Sequence, residues 1–151
     1  MFKQRVPLNA APAAYEALSG VEAYIQRCGL EASLIHLVKM RASQINGCAY
    51  CLDMHSKDAR RLGETEQRLY LLNAWQESPL YTERERAAIA WTDALTLIAD
   101  THAPDEVFAG VRTQFNGKEL MDLTTLIGII NLWNRLSIGF RAQHPVTVRA
   151  A

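Results

Sequence analysis

No charge of one sign dominates this chain. Its 16 lysines and arginines balance its 16 aspartates and glutamates, so no net field draws it to nucleic acid or to an anionic membrane. It also lacks an unbroken apolar run of membrane-spanning length. The stretch from Leu120 to Phe140 is interrupted by Asp122, Asn131, Asn134 and Arg135 and reads as a buried or interface helix. Lys3 and Arg5 have no apolar segment behind them, which excludes a secretory leader pattern there. Cysteine is scarce, and three is an odd number, whereas a secreted disulfide framework uses an even one. These absences point to a reducing, cytoplasmic setting, where a close cysteine pair is catalytic, redox-active or metal-bound. Convincing strand alternation, internal repeats and linker-like tracts are missing as well. What remains, 151 residues of which 49% are hydrophobic, suits a single domain with a real core.

Helical spacing runs through the whole chain. Asn9 is positioned to cap a first helix reaching about Cys28, with Tyr15, Leu18, Tyr24 and Ile25 on its apolar side and Gly29 ending it. Ser33 is positioned to cap a second, along which Leu34, Leu37, Val38, Arg41 and Ile45 recur, and Asn46-Gly47 is a stop signal. A third helix begins at or near Cys48 and ends at Leu62 before Gly63; a fourth spans Thr65 to Trp75. Thr82 with Glu85 and Asn116 with Glu119 are capping-box pairs. They open a fifth helix reaching about Asp100 and a seventh reaching about Arg141, with a short sixth between Pro104 and Phe115. The expected fold is all-α, one domain of six to seven helices. The seventh helix is apolar around most of its circumference, which predicts an oligomer.

Two of the three cysteines fall in Cys48-Ala49-Tyr50-Cys51, and His55 follows four residues after the second. With Cys48 at a helix start, Cys51 lies one turn on, close enough for a disulfide, and the helix N-terminus stabilises a thiolate there. His55 is at i+4 from Cys51 but about 10 Å along the axis from Cys48, so it activates Cys51 more directly. On that spacing Cys51 is the attacking thiol and Cys48 the resolving one. His36 lies twelve residues before Cys48, and a tight turn at Asn46-Gly47 would bring it towards His55 as a second proton carrier. Cys28 reads as a small apolar residue, and His102 and His144 receive no role. Asn131, Asn134 and Arg135 need partners within an apolar helix, from a neighbouring helix or subunit.

The run LVKMRASQINGCAYCLDMHSKDAR, followed by ERAAIAWTDALT and IINLWNRL, resembles an AhpD-type alkylhydroperoxidase of the carboxymuconolactone decarboxylase superfamily. The resemblance extends from about residue 20 to 141. It implies an all-helical trimer or hexamer that reduces hydroperoxides, with Cys51 peroxidatic, Cys48 resolving and His55 in a proton relay. It also implies a lipoylated or other dithiol protein as reductant, and no resident cofactor or metal. Where well-known members carry a glutamate twelve residues before the first cysteine, this chain has His36. The decarboxylase branch generally lacks the cysteine pair, so the superfamily name does not give the reaction.

Two other readings use the same residues. A disulfide reductase or redox sensor would exchange thiols without turning over peroxide. A zinc-binding structural module would use His36, Cys48, Cys51 and His55 as a four-ligand shell; a core of this size folds without metal, and ligands one helical turn apart suit zinc poorly. For the pocket wall, the sequence offers Trp75, Trp91 and Trp133 and the apolar face of the last helix.

Overall fold

A computed structural model describes residues 3–146. Among these are eight α-helices and no strand: α1 (Pro12–Ile25), α2 (Ala32–Asn46), α3 (Ala49–Arg61), α4 (Glu66–Leu71), α5 (Glu83–Thr96), α6 (Ile98–Thr101), α7 (Asp105–Gln114) and α8 (Gly117–Phe140). A 3₁₀ turn, Leu72–Ala74, extends α4. Among the described residues, no helix is long and apolar enough to cross a membrane.

Helix α2 is the axis of the domain, packed at once against α3, α5 and α8. Its Leu34, Ile35 and Val38 enter one buried cluster with Ile25, Trp91, Phe115, Leu123 and Ile127. Its Leu37 and Met40 enter a second, with Leu72, Trp75, Tyr81 and Ile89. Arg41, at a position where helical spacing calls for an apolar residue, instead makes a bidentate pair with Asp93 of α5, at 2.6 and 3.0 Å. Two parallel charge-assisted bonds fix the α2–α5 register as well as adding stability.

The helix ends follow local chemistry where a side chain can reach the backbone. Both capping boxes form, Thr82 with Glu85 and Asn116 with Glu119. Four boundaries differ from the sequence expectation. α1 starts at Pro12 after Ala11, without a cap from Asn9, because Pro12 occupies the first turn, where its missing N–H costs nothing. It also ends earlier, at Ile25. α2 begins after Glu31 and receives no side-chain cap from Ser33. The expected fifth helix breaks at Leu97. Thr101 bonds the Ala94 carbonyl through its hydroxyl at 2.6 Å, and His102 and Ala103 take positive φ, so the chain turns away as the short α6. No proline or glycine marks that break, which is why eight helices form where six to seven were expected.

The turn between α2 and α3 positions the functional residues. Gly47 sits at φ 68°, in the left-handed region. The Cys48 amide donates back to the Ser43 carbonyl at 3.0 Å and the Gly47 amide to Gln44. This glycine-terminated closure ends one helix and starts the next with a single extended residue between them, Cys48. A side chain at position 47 would cost about 1 kcal/mol or more in backbone strain alone.

Candidate active site

Cys48 and Cys51 form a disulfide, with their Cα atoms 5.3 Å apart. Both are 1% exposed. Cys48 is the N-cap of α3, and its sulfur accepts the Cys51 backbone N–H at 3.3 Å. The helix terminus therefore acts on Cys48, while the histidines gather on the Cys51 side.

Cys51 opens into a pocket of about 310 Å³ built by α1, α2, α3 and α8. His36 and Lys39 come from α2; Tyr50, Met54, His55 and Asp58 from α3; Tyr15 and Glu22 from α1; Trp133 and Ser137 from α8. Tyr15 and Trp133 meet edge to face at 5.7 Å, and with Met54 and Leu8 they give the pocket an apolar side. The expected approach of His36 to His55 occurs, their ring centroids lying 6.2 Å apart. Both rings hold a buried Nδ1 with no hydrogen-bond partner.

Burial holds His55 far below the usual imidazole range, at about 3, with the positive charges of Lys39 and His36 acting in the same direction. His36 is also lowered by burial and by Lys39, but Asp58 and Glu22 oppose the shift. Both rings are thus neutral near pH 7, and the carboxylates of Asp58 and Glu22 act on His36 alone. Lys39, itself 4% exposed, is balanced by Glu22 at 2.5 Å.

A neutral buried histidine also couples stability to acid. Its folded pKa lies below the unfolded value of about 6.5, so the unfolded chain binds more protons between the two. Stability is fully present above pH 6.5 and falls as pH drops towards 3. With a limiting slope of about 1.4 kcal/mol per pH unit, protonation linked to His55 alone removes roughly 2–3 kcal/mol between pH 6.5 and 4.5. Urea unfolding across that range should show this slope, and His55→Gln should flatten it; an unchanged slope in the variant would place the acid sensitivity elsewhere.

The sequence expectations fare unevenly around this pocket. Trp133 lines it, whereas Trp75 bonds Asp93 and Trp91 bonds Thr124, both away from the sulfurs. Glu22, Lys39, Asp58 and Tyr15 stand outside the cysteine–histidine motif, and Tyr50 and Met54, though inside it, have no role that its spacing reveals. Lys39 carries a usable signal all the same, a charge inside the apolar run Leu37-Val38-Lys39-Met40 three residues after His36; the α1 residues carry none. Cys28 is free and half-buried against the first core cluster. The metal-type ligands brought together are His36, His55 and Asp58, with atoms within 4.8 Å of one another. The two sulfurs, bonded to each other, present no thiolate to complete the shell of His36, Cys48, Cys51 and His55 that zinc would require.

Comparison with known proteins adds a family. The model of the carboxymuconolactone decarboxylase family matches residues 9–94. The uncharacterized protein YdfG of Bacillus subtilis (strain 168) is 41% identical over 138 residues, covering 91% of this chain and 94% of its own. A crystal structure of an Agrobacterium tumefaciens protein of unknown function, proposed as the antioxidant defence protein AhpD, superposes with a TM-score of 0.93 at 50% identity, over 96% of this chain and all of the other. The debrominase Bmp8 shares the fold at a TM-score of 0.76 and 23% identity, over 87% of this chain and 71% of its own.

Proposed function

This chain belongs to the carboxymuconolactone decarboxylase family and is AhpD-like, and from that premise we propose that it is a thiol peroxidase for organic hydroperoxides. The observation that carries the reading is a cysteine pair already able to close as a disulfide, with Cys51 sharing a pocket with two neutral histidines, His55 buried and His36 half-buried, and an apolar wall.

In the reduced protein, the Cys51 thiol passes its proton across His55, a transient carrier, to His36, whose imidazole is supported by Asp58 and Glu22. The Cys51 thiolate attacks the terminal oxygen of ROOH; the O–O bond breaks, and the leaving alkoxide takes a proton from the relay to depart as ROH. The sulfenic acid on Cys51 is attacked by the Cys48 sulfur, water leaves and the disulfide forms. A dithiol returns two electrons. Tyr15, Met54 and Trp133 would hold the alkyl portion. A homotrimer or homohexamer and a cytoplasmic location, where dithiol reductants are maintained, belong to the same proposal.

The test is a count of free thiols around one equivalent of cumene hydroperoxide. The reduced chain has three cysteines; the count should fall by two, with Cys28 surviving, and dithiothreitol should restore all of them. Three thiols unchanged by peroxide would overturn the reading. Slow loss to peroxide with rapid exchange against disulfides would instead favour a disulfide reductase or sensor using the same pair.

A further inference from the structure

The two sulfurs of the disulfide open onto different cavities. Cys51 lines the histidine pocket described above, and Cys48 does not. Cys48 lines a second cleft of about 540 Å³, with Ala49, Ile138, Arg141 and His144 among its walls, and Cys51 is absent from it. Tyr50 and Ser137 line both. They form the partition, and the S–S bond lies across it.

We propose that the couple is served through two entrances: hydroperoxide reaches Cys51 through the histidine pocket, and the reducing dithiol reaches Cys48 through the second cleft. This rests on the peroxidase reading for its first half only. Displacement at a disulfide sulfur is in line, the incoming sulfur approaching opposite the one that leaves. A thiolate in the second cleft therefore has Cys48 as its target and Cys51 as the leaving group. The cleft suits that encounter. Ala49 and Ile138 offer apolar surface to an alkyl chain. At 1% exposure, Cys48 is beyond the reach of a cysteine on a flat protein surface, so the occupant is a dithiol on a slender carrier.

The electrons balance in two steps. The first thiolate bonds to the Cys48 sulfur, the S–S bond breaks and its electron pair leaves on Cys51. The second thiol of the reductant gives its proton to solvent in the open cleft and attacks the reductant's own sulfur in the mixed disulfide. The electron pair of that bond leaves on Cys48, to whose sulfur the Cys51 N–H donates, both protein thiolates regain protons from solvent or the relay, and the reductant departs as a cyclic disulfide. The first thiolate to form is therefore on Cys51, inside the pocket where peroxide binds. The substrate and the reductant then need not exchange places during a cycle.

The two half-reactions can be timed separately. Protein oxidised with diamide is reduced by dithiothreitol, and reduced protein is oxidised by cumene hydroperoxide. Ile138→Trp, which narrows only the second cleft, should slow reduction tenfold or more and leave oxidation within twofold; Ala49→Trp should do the same. Met54→Trp, in the histidine pocket, should slow oxidation and leave reduction within twofold. Each variant's unaffected half-reaction reports that it is folded. Reduction unchanged in both cleft variants, or both half-reactions slowed together in both, overturns the proposal. If hydroperoxide fails to oxidise the parent protein, the peroxidase reading falls, and the reduction rates still decide which sulfur the dithiol meets.

Discussion

Cys51→Ser should abolish peroxide turnover, by a factor on the order of 10³ or more, because a serine hydroxyl is not ionised near neutral pH and the nucleophile is lost. Cys48→Ser should behave differently. Its Cys51 remains beside His55 and should consume one equivalent of hydroperoxide per chain and then stop, the sulfenic acid having no partner with which to condense. The pair of variants matters because electrostatics and position favour different sulfurs. The α3 terminus donates its amide to Cys48, as a thiolate-stabilising device would, whereas the proton acceptors stand on the Cys51 side. Peroxide reactivity follows the thiolate that can be reached by substrate and can pass its proton on, so Cys51 should carry the single turnover. A stoichiometric reaction retained in Cys51→Ser and lost in Cys48→Ser would reverse the assignment.

Asn134→Ala should cost about 3 kcal/mol of folding stability, since it leaves buried partners unsatisfied and opens a void. Asn134 is fully buried. It accepts from Asn46 Nδ2 at 2.9 Å and donates to Ser43 Oγ at 3.1 Å. Asn46 also donates to Asn131 Oδ1 at 3.0 Å, and Asn131 in turn donates to Thr96 of α5. This network fastens the end of α2 to α8 immediately before the Gly47 turn and Cys48. For a chain of this length, the loss corresponds to roughly 6–12 °C in Tm. The disulfide should also close more slowly after peroxide, because the turn that presents Cys48 is no longer held. Urea unfolding measures the first effect. A loss under about 1 kcal/mol would mean that water replaces the amide. A cycle with Asn46→Ala isolates the coupling between the two residues.

The polar residues of α8 show how far pattern reasoning reaches. Asn131 and Asn134 stand out as amides in an apolar helix, and their need for partners follows from the cost of burying an unsatisfied amide. Their bonds to Asn46, Ser43 and Thr96 meet that need. Arg135 is satisfied within its own helix, by the Asn131 carbonyl and side chain. That Asn46 would be the shared donor was not legible, because the residues lie 85 and 88 positions apart. The same limit applies to Lys39. Its position in an apolar run signals burial, but its partner Glu22 lies on another helix, and only packing brings the two together.

The sequence by itself determined the chemistry and most of the local structure: the cysteine pair, a histidine one turn beyond it, the capping boxes and the Gly47 turn. Each depends on residues within a few positions of one another, where helix geometry dictates which side chains meet. The tertiary structure alone decided the break at Leu97, the neutral state of His55, the burial of Lys39 and the opening of Cys48 and Cys51 onto separate cavities. Those depend on which helices surround α2 and α3 and how much water they exclude. A pKa or a cavity is a property of all the walls at once, and the walls here come from parts of the chain more than a hundred residues apart.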